Sequence, residues 1–317
     1  MRISTEVHTP TSEVDVGSPT NLYKAVAAAN DSVFLAGNKL NPKFIVHYAK
    51  YYYILYRLFL RIKMGKSLRD KFLNNNNISY VNFLPEWLFA EKICKLNNIR
   101  VIPRKHTDDF YVLFIEREKD LKEHLALNEN DVFVDVGANV GSYSLQIAKQ
   151  YKSKGVLIFA IEAHPETFTA LCRNVDLNGF TNIRTVNKAV SDHRGVSYIY
   201  EHLSDGQRGH VYTGQFSITA RSSDDIPSNP VGCDTLDNIL HGYDCNVMKI
   251  DIEGAEVIAL RGADNVLKQL RKIIVEIHNE NLLEVESILK KYHFKLEIIG
   301  TGTIKHIIGS KIDDSRI

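Results

Sequence analysis

From about residue 106 onward, the sequence predicts an α/β fold, a mostly parallel sheet covered by helices on both faces. Short apolar runs alternate there with amphipathic segments, as the strands and crossover helices of a parallel sheet require. The run 132–136 passes through a pair of glycines directly into a helical pattern, which is typical of a strand that turns sharply into a helix. Near the end, 294–299 and 304–308 are separated only by 300–303, which suits an antiparallel hairpin at one edge of the sheet.

The predicted elements follow one another without long gaps, apart from one insertion. Strands are predicted at 110–116, 132–136, 156–161, 184–190, 247–251, 272–278, 294–299 and 304–308. Helices are predicted at 117–125, 142–151, 166–178, 235–240, 255–269 and 281–291. The irregular segment 201–231 either overhangs the crevice and selects the substrate or forms an exposed hairpin.

The region before this domain has a different character. Residues 1–20 are polar and predicted to be flexible, and residues 21–105 are predicted to be helical. Within them, 44–63 is the densest aromatic stretch of the chain, interrupted by basic side chains that disfavour a membrane span. Two roles stay open for 44–63: a helix packed on the catalytic domain or a partner subunit, or an interfacial helix that meets a membrane or a lipid-linked acceptor.

Composition narrows the class of protein. The formal net charge is +1, so no basic surface indicates a nucleic-acid partner. The four cysteines are Cys94, Cys172, Cys233 and Cys245, and none forms a C-x-x-C pair. We therefore expect reduced thiols in a cytoplasmic protein, without a zinc site or a disulfide framework.

The glycine turn points to a nucleoside ligand. Asp135, Gly137 and Gly141 form a D-x-G-x-x-x-G pattern, which lacks the third glycine of a dinucleotide fingerprint. S-adenosylmethionine is the common ligand of this kind, since no pyrophosphate has to be cradled. Glu162 ends the next strand, about twenty residues later, where α/β nucleotide folds place the carboxylate that binds the ribose hydroxyls.

Six segments in this order resemble the FkbM-type methyltransferases: 131–145, 160–179, 188–195, 233–240, 248–263 and 273–278. The resemblance covers about residues 106–300. It implies a class I methyltransferase (Rossmann-like) fold, with a seven-stranded sheet and a methyltransferase domain at 106–317. It also implies S-adenosylmethionine as cofactor and O-methylation of natural products or glycans.

The resemblance also implies roles for particular residues on the cofactor side. It assigns the glycine turn, including Asn139, to the methionine and ribose portions of the cofactor. It places adenine recognition at the end of the third strand, at Val190 and Asp192. Asp192 is equally well explained as a turn residue ahead of Gly195.

Two residues are candidates for the chemistry. Asp251 ends the fourth strand and therefore faces the crevice. His278 ends the fifth strand, opposite Asp251, and is a candidate base, although a structural histidine explains it equally well. Asp251, His278 and Asn279 are a poor ligand set for magnesium, which prefers oxygen donors, so no metal is predicted.

The predicted function is S-adenosylmethionine-dependent methylation of a hydroxyl on a small molecule or glycan. The alternative is a non-catalytic nucleoside-binding protein that acts through its aromatic N-terminal region. Together, Asp135, Glu162 and Asp251 favour the enzyme, because a scaffold needs none of these carboxylates. The missing third glycine disfavours a nicotinamide-dependent oxidoreductase.

Overall fold

The computed structural model describes residues 13–15, 91–96, 98–105, 107, 109–114, 121, 124–201, 217–219, 226–300 and 304–311. The chain divides into two compact units, the first of which runs through Phe114. The aromatic segment 44–63 and most of the region predicted to be helical lie outside the described residues, so their predicted roles stay predictions. Among the described residues, no helix is long and apolar enough to cross a membrane.

The first unit contains a small three-stranded sheet. Strand β1 (Glu13–Asp15) pairs in parallel with β2 (Ile93–Leu96), which pairs antiparallel with β3 (Ile99–Val101). Residues 93–96 and 99–101 of the predicted helical region are therefore strands, and the prediction is wrong there. Burial of Cys94, Ile99 and Val101 explains the difference, because β-rich segments are stabilised by packing rather than by local propensity.

A helix also replaces the strand predicted at 110–116. Helix α1 spans Asp109–Phe114. The Thr107 hydroxyl accepts a hydrogen bond from the Asp109 amide at 3.3 Å, and the Arg104 guanidinium binds the buried Asp109 carboxylate at 2.7 Å. Polar groups at a helix start satisfy its unpaired amides, and here they outweigh the strand propensity of the aromatic run.

The second unit is built on a seven-stranded sheet that confirms the predicted class I methyltransferase fold. Its strands in chain order are β4 (Val132–Val136), β5 (Leu157–Ile161), β6 (Ile183–Val186), β10 (Val247–Ile250), β11 (Lys272–His278), β12 (Phe294–Ile299) and β13 (Ile304–Lys311). Across the sheet the order is β12-β13-β11-β10-β4-β5-β6. All neighbouring pairs from β6 to β11 are parallel, whereas β13 runs antiparallel to both β11 and β12. The order reverses between β4 and β10, and ligands of open α/β sheets bind at such a switch point.

Helices on both faces bury the central strands. They are α2 (Ser142–Gln150), α3 (Pro165–Asn178), α4 (Leu236–Ile239), α5 (Glu256–Arg261), α6 (Asp264–Gln269) and α7 (Leu282–Lys291). Every residue of β4 and β10 is buried, as expected for parallel strands covered on both sides. Phe133, Ile158 and Met248 have no exposed surface, and burying side chains of this size contributes about 1.5–3 kcal/mol each.

The predicted helix 255–269 is two helices, because α5 ends at Arg261 and α6 begins at Asp264. The carboxylate of Asp237, on α4, accepts hydrogen bonds from the amides of Asn265 at 3.0 Å and Val266 at 2.9 Å. A Cβ atom on Gly262 would lie 2.2 Å from the carbonyl oxygen of Ser191. The first helix therefore ends where the backbone of Gly262 approaches the backbone of Ser191. The Asp237 carboxylate then caps the start of α6.

The insertion between the third and fourth strands forms a second small sheet. The predicted strand 184–190 ends at Val186, and β7 (Ala189–Val190) joins β8 (Gly195–Glu201) and β9 (Ile226–Asp234) in the order β7-β9-β8. Ser217, from the same insertion, is buried, and its hydroxyl donates to the carbonyl of Ile252 at 3.4 Å. The described part of the insertion thus contacts the turn that follows β10.

Candidate functional site

The glycine turn after β4 lies directly against the end of β10. Gly137 has a φ of 78°, and a Cβ atom there would lie 1.8 Å from the carbonyl oxygen of Asp251. The amides of Gly137 and Ala138 donate to the Ile161 carbonyl at 3.0 and 2.9 Å. Only glycine fits a position with both a left-handed backbone and this approach. Gly141, with a φ of 95°, is the residue before α2, so the turn presents bare backbone at the position predicted to bind a nucleoside.

Asp135 is 1% exposed and holds the start of α2 in place. Its Oδ2 atom accepts hydrogen bonds from the Ser144 amide at 3.1 Å and from the Ser144 hydroxyl at 2.6 Å. A carboxylate near a helix N-terminus is also favoured by the helix dipole. The contact of Asp135 with the cofactor stays a prediction; its observed contacts shape the glycine turn.

Glu162 joins the ends of two neighbouring strands. Its Oε2 atom accepts a hydrogen bond from the amide of Asn139 at 2.9 Å, and its Oε1 atom accepts one from the amide of His164 at 2.9 Å. Asn139 has a φ of 49°, which turns its amide toward this carboxylate. A carboxylate offers about four acceptor sites, so the pre-oriented Glu162 is suited to bind a ribose diol. The glycine turn and Glu162 therefore fit the nucleoside half of S-adenosylmethionine.

The two residues predicted near the adenine differ in exposure. Val190 is 4% exposed and packs in the hydrophobic core. Asp192 is exposed, and its Oδ1 atom lies 2.8 Å from His193 Nδ1. This hydrogen bond from His193 lowers the pKa of the Asp192 carboxyl. A role for the Val190 side chain in adenine binding would be apolar packing, whereas Asp192 offers an ionised acceptor.

Asp251 is fixed by a buried lysine that the sequence analysis did not single out. Lys249 is 3% exposed, and its ammonium lies 2.9 Å from Asp251 Oδ2. The same ammonium lies 4.7 Å from the centre of the Tyr143 ring, on α2. A buried ammonium needs partners, and these two hold it between the glycine-turn helix and the end of β10.

His278 contacts a carboxylate that follows Asp251 in the chain. Its Nε2 atom lies 3.3 Å from Glu253 Oε2, and each side chain is 18% exposed. In the parallel pairing of β10 with β11, Ile250 is level with Val275, so Asp251 follows level with Glu276. The prediction that His278 lies directly opposite Asp251 is therefore wrong. The register of the two strands places Glu276 opposite Asp251, two residues before His278.

A second imidazole–carboxylate pair lies beside the first. His306 Nε2, on β13, is 3.0 Å from Glu276 Oε2, on β11. The antiparallel pairing of these strands places the two residues level with each other. Strand alternation indicated that Glu276 and His278 share one face, but only the pairing with β13 identifies His306 as a partner.

One oxygen from each of Asp251, Glu253 and Glu276 can be chosen so that the three lie within 4.8 Å of one another. Within the described part of the chain, this is the group with spacing suited to a cation. Lys249, His278 and His306 each contact one of its members. The Lys249 ammonium offsets part of the repulsion between the carboxylates, and a histidine does so only when it is protonated. The prediction that no metal is used therefore stays a prediction, and this cluster is where it can be tested.

A buried carboxyl supports the turn between β10 and α5. Glu256 is 1% exposed and accepts hydrogen bonds from the Gly254 amide at 2.8 Å and from the Asn281 side chain at 3.2 Å. Burial raises the pKa of the Glu256 carboxyl, and these hydrogen bonds lower it in part. Glu256 is the first residue of α5, and its hydrogen bonds also tie the turn after β10 to the segment after β11.

The family model described as "Methyltransferase FkbM domain" matches residues 135–296, which is half of the chain. The chain belongs to the FkbM methyltransferase family. The predicted resemblance is confirmed over these residues, and the methyl donor of the family is S-adenosylmethionine.

Relatives of known name match parts of the chain. Hexuronic acid methyltransferase AglP from Haloferax volcanii is 30% identical over 152 residues, which cover 47% of this chain and 57% of the relative. A tRNA(Phe) (4-demethylwyosine(37)-C(7)) aminocarboxypropyltransferase from Methanocaldococcus jannaschii is 38% identical over 69 residues, which cover 22% of this chain and 26% of the relative. The chain thus spans less than two thirds of the length of either relative.

Solved structures include similar chains. A methyltransferase FkbM from Methylobacillus flagellatus is matched with a TM-score of 0.44 and 15% identity, over 62% of this chain and 47% of that one. A precorrin-6y C5,15-methyltransferase from Geobacter metallireducens is matched with a TM-score of 0.40 and 14% identity, over 63% and 92%.

Proposed function

We propose that this protein transfers the methyl group of S-adenosylmethionine to a hydroxyl group of a glycan or small molecule. The observation that supports the proposal is the close approach of Gly137 to the Asp251 backbone. It brings the glycine turn that fits the cofactor against the strand end that carries the candidate acceptor-side groups. The name of the Haloferax volcanii relative, a hexuronic acid methyltransferase, supports a sugar as the acceptor.

The cofactor side needs binding groups, and the chain supplies them at the ends of β4 and β5. When bound, S-adenosylmethionine supplies a methyl group activated on a sulfonium. Gly137 and Gly141 let the turn pack closely against Asp251 and Leu171 and so shape the backbone that faces the ligand, and Glu162 accepts hydrogen bonds from the ribose hydroxyls. The hydrogen bonds of Glu162 to Asn139 and His164 fix this carboxylate before the ligand arrives, which lowers the entropic cost of binding.

On the acceptor side, the reaction requires that the acceptor hydroxyl be oriented and that its proton be removed. In the proposed reaction the acceptor oxygen bonds to the methyl carbon, the carbon–sulfur bond breaks, and S-adenosylhomocysteine leaves. His278 takes the hydroxyl proton as the new bond forms, which is general-base catalysis. Asp251, held by Lys249 at 2.9 Å, accepts a hydrogen bond from a second hydroxyl of the acceptor and orients it.

Two measurements test the proposal. Calorimetry should show S-adenosylhomocysteine binding to the full chain. Transfer of labelled methyl from S-adenosylmethionine should then be followed with neutral sugars, uronic acids and simple polyols, with mass spectrometry to locate the methyl on oxygen. Binding without transfer to any hydroxyl acceptor, or a methyl found on nitrogen or carbon, would refute the O-methyltransferase assignment.

A further inference from the structure

The contact between His278 and Glu253 is built into the turn after β10. The imidazole Nε2 atom lies 3.3 Å from Glu253 Oε2, and each side chain is mostly enclosed. An ionised carboxylate only accepts hydrogen bonds. Where Glu253 is ionised, the Nε2 atom carries the proton in this contact, and in the neutral ring the lone pair is then on Nδ1.

The backbone at Glu253 is strained. Glu253 has a φ of 56°, and the following Gly254 has a φ of 103°. A left-handed backbone at a residue with a side chain costs about 1–2 kcal/mol, and glycine would adopt it freely. Strain of this kind persists where the surroundings impose it and is concentrated at functional sites.

Hydrogen bonds on both sides impose this conformation. The Asn281 side chain donates to the Gly254 carbonyl at 3.1 Å, and the Gly254 amide donates to Glu256 at 2.8 Å. On the other side, the Ser217 hydroxyl donates to the Ile252 carbonyl at 3.4 Å. The turn is thus held from the insertion and from the segment after β11, and it directs the Glu253 carboxylate toward β11.

The neighbouring charged groups have other contacts. Lys249 pairs with Asp251, His306 pairs with Glu276, and Glu256 is hydrogen-bonded to Gly254 and Asn281. Glu256 also interacts electrostatically with His278, and the carboxylates of Asp251 and Glu276 lie near that of Glu253. Among the ion pairs of the described residues, the contact of His278 is with Glu253.

We infer that Glu253 is a positioning residue for the proposed reaction, one that holds His278 as the Nε2–H tautomer so that Nδ1 receives the acceptor hydroxyl proton. The carboxylate also stabilises the imidazolium that this proton transfer forms, as buried carboxylates do beside catalytic histidines. The inference rests on the proposed function for its chemistry. The tautomer itself is a property of the folded protein and can be measured without turnover.

Nitrogen-15 NMR of the histidine side chains in the full chain tests the tautomer. The His278 signal is assigned by its loss in His278→Asn. In the wild type, neutral His278 should be the Nε2–H tautomer, and Glu253→Gln should shift its nitrogen signals. The control Glu280→Gln, at an exposed carboxylate two residues from His278 in the chain, should leave them unchanged. A wild-type Nδ1–H tautomer, or the same signals in Glu253→Gln, would overturn the inference even if methyl transfer is confirmed.

Kinetics test the consequence for the reaction. Glu253→Gln should lower kcat about tenfold or more, while KM for S-adenosylmethionine stays within about twofold. The acid limb of its kcat profile should move to lower pH, because the protonated imidazole loses its partner. Glu253→Asp should restore part of kcat. An unchanged kcat and profile in Glu253→Gln would overturn the inference.

A third variant separates function from folding. Glu253→Gly removes the side chain and relieves the backbone strain, so its thermal midpoint should equal or exceed that of the wild type. Its kcat should fall as in Glu253→Gln. A Glu253→Gly protein that keeps wild-type kcat would contradict the positioning role. Absence of methyl transfer in the wild type would instead refute the proposed function and leave the NMR result valid.

Discussion

The backbone of Gly137 lies so close to Asp251 that a single added carbon atom would overlap the Asp251 carbonyl oxygen, at 1.8 Å. This contact joins the turn that fits the cofactor to the strand end that carries Lys249, Asp251 and Glu253. Changes on either side of it should therefore affect both binding and stability.

Gly137→Ala should lose both stability and cofactor binding. The new Cβ meets fixed backbone, and the residue keeps a φ of 78°, so we expect a cost of about 3 kcal/mol or more. Gly242→Ala is the matched control, since Gly242 has a φ of 84° but nothing within 4 Å of its added Cβ. The control should lose only about 1–2 kcal/mol. Urea denaturation and calorimetry with S-adenosylhomocysteine measure the two effects, and equal losses in both variants would contradict the prediction.

Glu162→Gln should weaken binding of S-adenosylhomocysteine about tenfold, or about 1.4 kcal/mol. The amide keeps the size of the side chain but donates where the carboxylate accepts, which disturbs both the backbone contacts and the ribose contacts. Glu166→Gln, at an exposed residue in the first turn of α3, is the control and should bind as the wild type does. Calorimetry measures the affinity of both variants for S-adenosylhomocysteine. Wild-type affinity in Glu162→Gln would remove this carboxylate from the cofactor site.

Removal of divalent cations should leave methyl transfer unchanged. Lys249, His278 and His306 already contact the three clustered carboxylates, so each carboxylate has a hydrogen-bonding partner without a metal ion. The rate should be measured before and after dialysis against a chelator, and again after addition of magnesium, calcium or manganese. A rate that falls on chelation and returns with one of these ions would show that the cluster acts as a metal site.

Glu256 should make stability depend on pH. Its folded-state pKa is raised above the ordinary value of 4.5 by burial, so the folded protein binds the proton more tightly than the unfolded chain. The contribution of this carboxyl to stability is therefore full below about pH 4.5 and is lost as the pH rises through the raised folded-state value. The free energy of unfolding, relative to that of Glu256→Gln, should fall over that interval. A difference that does not change with pH would contradict the assignment.

Asp237→Ala should destabilise the second unit by about 0.5–2 kcal/mol, because it removes the cap from the amides of Asn265 and Val266. Asp244→Ala, at an exposed aspartate in the turn before β10, serves as the control. Chemical denaturation measures the free energy of unfolding of both variants. Equal values in Asp237→Ala and Asp244→Ala would show that water satisfies these amides as well as the Asp237 carboxylate does. Methyl transfer at low temperature should be kept in Asp237→Ala, since Asp237 is not among the residues proposed to bind the cofactor or the acceptor.

The sequence predicts what local patterns and chain order determine. The glycine turn at 137–141, the carboxylate at Glu162 and the edge hairpin after 300 each follow from spacing within a short segment. The pairing of His278 with Glu253, and of His306 with Glu276, depends instead on the register between strands and on a left-handed backbone at Glu253. The break at Gly262 depends on a cap from α4. Such relationships join residues that are far apart in the sequence, so no short sequence segment contains both partners.

The buried lysine of β10 has a consequence for protein engineering. Its ammonium is shared by the ring of Tyr143, on the helix after the glycine turn, and the carboxylate of Asp251. A chimera that takes the segment around β10 from another family member can change Lys249 or Asp251 while Tyr143 stays. The contacts of the ammonium with the ring and with the carboxylate would then no longer match. Transplanting an acceptor preference into this scaffold should therefore succeed more often when position 143 is exchanged together with positions 249 and 251.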